Sequence, residues 1–280
     1  MPSPIFRRVI FAVLDGLRPD AIDAFGLHHL LSMESDGAST RCATTVEPSV
    51  TAAAMGSLLT GVHPQVHGLT SDRFHIPYSR GPVHPLPRTL RDAGLKTSAF
   101  LFRPPFLFRR LAQRLSERLG IDAPHFVGQC AAEIVREAEA TLEMQRSGFV
   151  LLHLPDADRA GHEHGWMSQP YADAARRLDA AAGRLHALTV ARDPDDTLLI
   201  ICADHGGGGA VANDHESAHP LDRTVPILLT GGGVAAGTSL GEASLLDIPA
   251  TILAALGVAV PESYQGRVLE EVFVHAAVAA

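Results

Sequence analysis

The 280-residue chain carries 46% hydrophobic and 19% charged residues, enough apolar material for one sizeable core and a balance unlike that of a disordered chain. Its net charge of −8 comes with no basic block, which argues against a partner held through a nucleic-acid phosphate backbone. Three cysteines, an odd number without CxxC spacing, argue against a disulfide framework and a thiolate zinc site.

The first apolar run, residues 9–14, ends in Asp15-Gly16 and not in a small-residue cleavage site. It reads as a strand rather than a secretion signal, so a cytoplasmic location is the default expectation. No run reaches the length of a spanning helix, and no membrane partner is expected. Further strands are predicted at 38–46, 97–102, 149–154, 197–203 and 225–229, several of them continuously apolar as strands buried on both faces are. Helical periodicity lies between them, at 50–59, 129–145, 171–191 and 244–256, with Gly61 and Gly257 as stops. This alternation predicts an α/β fold with a mainly parallel sheet, in one domain spanning 1–280. Two stretches interrupt it as small insertions, around 61–87 (rich in Pro, Gly and His) and around 100–128. Residues 100–108 hold four Phe and two Pro, suited to lining a pocket or plugging the core.

Polar residues cluster just past three predicted strands. Asp15 follows the first, Asp156 through His162 follow the fourth, and Asp204-His205-Gly206 follow the fifth. The C-terminal ends of parallel strands are where open α/β sheets bind ligands. Carboxylates and imidazoles brought together there make a set suited to zinc, or to manganese if oxygen dominates. Each residue also has a plainer reading. Asp15 could cap a following helix, Asp158 and His162 could be a surface pair four residues apart, and Asp204-His205-Gly206 could be a polar turn. Only the convergence links all three. His153 and His164 are read as ordinary structural histidines. Thr51 falls in the first turn of an Ala-rich helix, where backbone N–H groups favour an anion; Ser49 and Thr51 could equally be an N-cap pair.

Taken together, these residues resemble the alkaline phosphatase superfamily, in its type I phosphodiesterase/nucleotide pyrophosphatase branch. Residues 9–20 are similar to the family's opening strand and first metal-ligand Asp. Pro48 through Gly61, with Pro64 and His67-Gly68, resemble its nucleophile motif. Asp158-x-x-Gly161-His162-x-x-Gly165 and Asp204-His205-Gly206 look like its two metal signatures, and 247–257 with Gly266-Arg267 look like its C-terminal end. The resemblance implies a three-layer α/β/α sandwich and hydrolysis of a small-molecule phosphoester. It implies two divalent metal ions, zinc or alternatively manganese. Asp158, His162 and His215 would hold one, and Asp15, Asp204, His205 and the nucleophile Thr51 the other. For the last histidine, His219 competes with His215, which the gapless match prefers. A sulfatase is disfavoured because Cys42 lacks the C/S-x-P-x-R pattern, and a mutase because there is little room for its inserted domain; a phosphomonoesterase or phosphonate hydrolase of the same superfamily and a non-catalytic metal-binding module are the remaining alternatives. The chain departs from the family at Ala53, where Pro is common, and at Asp72, where an Asn contacts phosphate. A carboxylate there would repel phosphate, so Asp72 and the neighbouring Arg73 are the candidate substrate contacts.

Overall fold

Strand pairing puts the three acid-bearing strand ends side by side. The computed structural model describes residues 3–73 and 79–274 and contains one eight-stranded sheet. Its strands are β1 (Arg8–Leu14), β2 (Ala38–Thr44), β3 (Thr97–Leu101), β4 (Ala123–Phe126), β5 (Gly148–Leu154), β6 (Thr197–Cys202), β7 (Thr224–Thr230) and β8 (Thr238–Ser239). They lie in the order β4-β3-β5-β1-β6-β7-β2-β8. Only β7 pairs antiparallel with its neighbours, β6 and β2; the other pairings are parallel. β5, β1 and β6 are thus adjacent at the centre, with Leu14 opposite Leu154 and Val13 opposite Cys202. All three are buried along their whole length, which is why their sequences do not alternate.

The helices are α1 (Ala21–Ala24), α2 (His28–Asp36), α3 (Thr51–Thr60), α4 (Pro64–His67), α5 (Leu86–Asp92), α6 (Arg109–Leu119), α7 (Ala131–Met144), α8 (Asp156–His164), α9 (Gln169–Leu188), α10 (Pro220–Arg223) and α11 (Asp247–Ala255). They pack as two sets, α2, α7, α8 and α9 in one and α3, α5, α6 and α11 in the other, the outer layers of an α/β/α sandwich. The amphipathic pattern of α9 buries Leu178, Ala182, Leu185 and Leu188 as its spacing predicts.

The stretches read as insertions are more regular than their composition indicated. Within 100–128 lie α6 and the edge strand β4, whose Pro124 hid it from a strand reading. Within 61–87 lie α4 and the start of α5, while residues 74–78 fall outside the described residues. The side chain of Arg8, 1% exposed, ties the opposite end of the sheet together, donating to Thr197 Oγ1 and to the carbonyls of Leu142 and Gln145.

Candidate active site

Asp15 sits immediately past β1, with its N–H donating to Leu154 O at 3.0 Å, while Asp158 N donates to Asp15 O at 2.9 Å. The chain turns between them at Gly16, whose φ is +70°; a Cβ there would lie 2.7 Å from Asp158 Cα. Only glycine allows both the left-handed turn and this approach of two strand ends. The Gly16 carbonyl accepts from Trp166 Nε1 (2.9 Å) and the Tyr171 hydroxyl (3.0 Å), and its N–H donates to Asp204 Oδ1 (3.1 Å). Of the two acids entering α8, Asp156 is structural, accepting from Ala131 N and thereby capping α7. Asp158 faces the cluster with His162, four residues on and therefore on the same helix face.

Three imidazoles surround this point, each held in the same way. His205 Nδ1 donates to Gly206 O (2.9 Å), His215 Nδ1 to Ser49 O (2.6 Å) and His162 Nδ1 to Asn213 O (3.1 Å). A carbonyl only accepts, so each Nδ1 carries a proton and each Nε2 is left pointing inward. Asp158 Oδ1 lies 3.3, 3.7 and 3.9 Å from the Nε2 atoms of His162, His215 and His205. His205 Nε2 is also 3.3 Å from Asp15 Oδ1 and 3.6 Å from Asp204 Oδ2. The two Nε2 atoms of His162 and His215 meet at 3.1 Å. Ligands about 2.0–2.1 Å from a tetrahedral zinc stand roughly 3.3 Å apart, so this spacing suits a shared cation.

Electrostatics point the same way. Asp15 Oδ1, Asp158 Oδ1 and Asp204 Oδ2 are buried with no hydrogen-bond partner, which costs free energy unless a cation joins them. Burial and then the charge on Asp15 push the Asp158 carboxyl up to about 8 and that of Asp204 up to about 6. Burial acts upward on Asp15 as well, but His153 and His205 outweigh it and hold that carboxyl well below the usual range. For His205, burial acts downward and the surrounding carboxylates, led by Asp204, overcome it and raise the imidazole well above its ordinary value. Ligand atoms of Asp158, His162 and His215 fall within 4.8 Å of one another, as do those of Asp15, Asp158 and His205, and of Asp15, His153 and Asp204. The donor set suits divalent cations, and the three groups overlap at Asp15 and Asp158.

Thr51 stands at this cluster. Val50 is the N-cap of α3 without a side-chain cap bond, so neither Ser49 nor Thr51 serves the capping role the sequence allowed. The Ser49 hydroxyl donates to His215 O, and Thr51 Oγ1 is 3.1 Å from His205 Nε2. Above them opens a cavity of about 660 Å³ lined by Asp15, Thr51, Asp158 and His162, with Asp72, Phe102, His153 and Arg159 among its other walls.

The family model for type I phosphodiesterase/nucleotide pyrophosphatase matches residues 9–231. The chain belongs to this family. It thereby joins the alkaline phosphatase superfamily, a metal-dependent group that includes phosphoester hydrolases. A 2,3-bisphosphoglycerate-independent phosphoglycerate mutase from Legionella pneumophila (strain Corby) is 28% identical over 145 residues, 50% of this chain but only 27% of the mutase. Among solved structures, a phosphonate monoester hydrolase from Silicibacter pomeroyi superposes with a TM-score of 0.69 at 18% identity, covering 94% of this chain and 76% of that one. An inactive variant of murine ectonucleotide pyrophosphatase/phosphodiesterase 5 in complex with AMP gives 0.71 at 13% identity, covering 91% and 96%. A 2-O GAG sulfatase gives 0.72 at 15%, covering 95% and 73%. At these identities the structural matches establish the shared fold.

In this phosphodiesterase-family chain the two histidines that competed for the last ligand separate clearly. His215 supplies the last inward imidazole, whereas His219 is exposed and caps α10 by accepting from Leu221 N. His153, read as an ordinary core histidine, is 3% exposed with Nε2 3.1 Å from Asp15 Oδ2, and it falls in one candidate metal group with Asp15 and Asp204. An imidazole two residues from the end of an otherwise apolar buried strand was the available signal. Asp72 does reach the site, but by accepting from Ala52 N at 2.7 Å, on the exposed first turn of α3. Among the described residues, Arg159 stands on the cavity wall and also donates to Gln129 O. His164 lies outside the three metal-ligating groups and is close to Glu163.

His67, from the His-Gly pair, is structural. Its Nδ1 accepts from Leu69 N, so its Nε2–H donates to Ser57 Oγ at 3.0 Å. Burial holds the imidazole down to about 4. An unfolded chain takes up this proton near pH 6.5 and the folded chain only near 4, so the stabilising contribution is complete above 6.5 and is lost as pH falls toward 4. We expect wild type to lose on the order of 2 kcal/mol more than His67→Gln between pH 7 and 4.5, read from urea midpoints.

Proposed function

We propose that this chain is a two-metal phosphoester hydrolase with a preference for diesters and pyrophosphates, acting through a covalent phospho-threonine at Thr51. The observation that carries this reading is the meeting of one hydroxyl with three imidazoles tied back by Nδ1 and three partnerless buried carboxylate oxygens. Asp158, His162 and His215 would hold one divalent cation, and Asp15, Asp204 and His205 the other. Zinc or manganese there supplies Lewis acidity, lowering the pKa of a bound hydroxyl and offsetting charge on phosphoryl oxygens.

The chain's own part follows from its geometry. The first turn of α3 fixes Thr51 Oγ1 at the cavity floor, so attack on phosphorus starts from a positioned atom. The hydroxyl gives its proton to solvent as the Oγ1–P bond forms, and the bond from phosphorus to the departing oxygen breaks in line, that oxygen taking a proton from solvent where its basicity calls for one. Water then attacks phosphorus and the P–Oγ1 bond breaks, the proton lost by the water going to Thr51 Oγ1. The positive end of the α3 dipole would offset charge developing on the phosphoryl oxygens, with the Ala52 N–H itself held by Asp72. Arg159 stands on the wall for the substituent, and Phe102 offers it an apolar face.

Asp72 supports the diester preference. Its carboxylate occupies an N–H group that would otherwise serve a phosphoryl oxygen. Asp72 is exposed, and unit charges 4 Å apart in water interact by about 1 kcal/mol, while a monoester dianion carries one more charge than a diester. Asp72→Asn should therefore raise kcat/KM for p-nitrophenyl phosphate about fivefold more than for bis-p-nitrophenyl phosphate. The reading as a whole is tested by assaying wild type on both esters with zinc and with manganese. Turnover of the diester above the monoester is expected, and turnover of neither rejects it.

A further inference from the structure

The segment that begins at the cavity wall is built unlike the rest of the surface. Phe102 lines the cavity just past β3, and the chain then runs out through Arg103-Pro104-Pro105 into a single 3₁₀ turn, Phe106–Phe108, that leads directly into α6. Phe106 is 78% and Leu107 85% exposed, and Phe108, Leu111 and Leu115 are exposed as well. These are large apolar side chains placed where folding gains nothing from them, gathered in one patch and not scattered.

Arginines frame the patch. Arg103, Arg109, Arg110, Arg114 and Arg118 are all exposed, and between residues 102 and 119 only Glu117 carries negative charge. The spacing is what kept this feature out of a reading for basic blocks. On α6, Arg110, Arg114 and Arg118 recur every four residues, forming one row beside the Leu111 and Leu115 row. The helix's buried side carries only Ser116, with Leu119 packed against the core. The chain as a whole is at −8, so five arginines within sixteen residues form a local reversal of sign.

We infer that residues 103–118 form a docking surface for an anionic lipid bilayer, into whose interface Phe106 and Leu107 insert while the arginine row meets the headgroups. A helix with apolar and cationic rows and low mean hydropathy is the form that lies in a membrane interface. Two other occupants fit less well. A second copy paired about a two-fold axis would set this patch against itself and bring the same arginines together. A groove-bound acidic peptide would meet a projecting tip here, not a concave surface. The absence of a helix long enough to span a bilayer among the described residues is compatible with this, because the segment would lie on the surface. Docking would put the cavity mouth at Phe102 beside the headgroups. That consequence, a headgroup phosphoester as substrate, rests on the proposed hydrolase reading; the docking itself does not.

The test is co-sedimentation of the full chain with vesicles of phosphatidylglycerol and phosphatidylcholine, against vesicles of phosphatidylcholine alone. We expect partition into the anionic vesicles that falls with added salt. It should weaken at least about tenfold both in Phe106→Ser/Leu107→Ser and in Arg110→Gln/Arg114→Gln. Hydrolysis of soluble bis-p-nitrophenyl phosphate, measured in parallel, should be unchanged in both variants. Loss of that activity in wild type would sink the hydrolase reading and leave the sedimentation result legible. No partition into anionic vesicles, or partition indifferent to both pairs of substitutions, overturns the docking surface. So does a dimer that Phe106→Ser/Leu107→Ser dissolves in a chain that ignores vesicles, or binding to polyglutamate without binding to lipid.

Discussion

Thr51→Ala should leave a folded, metal-loaded protein whose turnover of bis-p-nitrophenyl phosphate is lower by at least about 10³. The fold should survive because the hydroxyl has no structural duty. Thr51 opens α3 without capping it, and its Oγ1 makes its contact with His205 Nε2, inside the cluster. Alanine is the best helix former, and three follow in sequence at Ala52, Ala53 and Ala54. The chemistry should not survive, because the atom that would form the bond to phosphorus is gone while the carboxylates and imidazoles of the cluster remain. Thr51→Ser keeps that atom and should recover a substantial part of the rate, since a serine hydroxyl differs there only by the missing methyl group. The readouts are steady-state kinetics, elemental analysis and thermal melting on the same preparations. A Thr51→Ala protein with near-normal turnover and full metal content would show that water attacks directly and that no phospho-threonine forms.

The parts of this site that the sequence made legible are those tied to strand ends. β1, β5 and β6 are nearly continuous apolar runs, each followed within four residues by an acid, so Asp15, Asp158, Asp204 and His205 could be placed at strand ends before any contact was known. The order of the strands was not readable, because which parallel strands lie side by side depends on packing between distant segments. That β5, β1 and β6 are neighbours is what turns three separate acids into one cluster. The choice between His215 and His219 was likewise a matter of tertiary position, since both lie in the same loop and differ only in which is turned inward. β4 carries a proline and lies at the sheet edge, and β8 is two residues long, so neither has a periodicity to find. The reversed direction of β7 leaves no mark in composition either. Arg159 was hidden by its position inside the Asp158–His162 motif, where the ligands drew attention and the residue between them did not. The amphipathic segment past Phe102 was visible as an excess of phenylalanine, but whether such residues plug a core or stand in solvent is decided by the rest of the fold. Here they do both, with Phe100 buried and Phe106 exposed.

Asp204→Asn separates the metal-holding role of this carboxylate from its structural one. The Asp204 side chain is fully buried; Oδ1 accepts from Gly16 N and His205 N, and Oδ2 faces the cluster with no hydrogen-bond partner. Asparagine can keep Oδ1 and both of its bonds, and puts an NH₂ donor where the cation would sit. We therefore expect bound metal to fall by about one equivalent per chain in elemental analysis and turnover to fall by about 10³. The metal-free proteins should rank the other way. Burial and the neighbouring Asp15 raise the folded Asp204 carboxyl to about 6, against about 3.9 when unfolded. Between these values the folded wild type binds more protons than the unfolded chain, so its stability declines as pH rises through that window. In chelator at pH 7.5 the ionised carboxylate is a net burden, and Asp204→Asn should melt above wild type; at pH 4 that advantage should be gone. Added zinc should reverse the order. At a hundred times its dissociation constant a ligand stabilises the state it binds by about 2.7 kcal/mol, which at roughly 2–4 °C per kcal/mol is a rise of about 5–11 °C for wild type and a smaller one for the variant. Equal metal content in the two proteins would mean that Asp204 does not hold the cation, and a metal-free variant no more stable than wild type at pH 7.5 would mean that the buried Asp204 oxygen is satisfied without one.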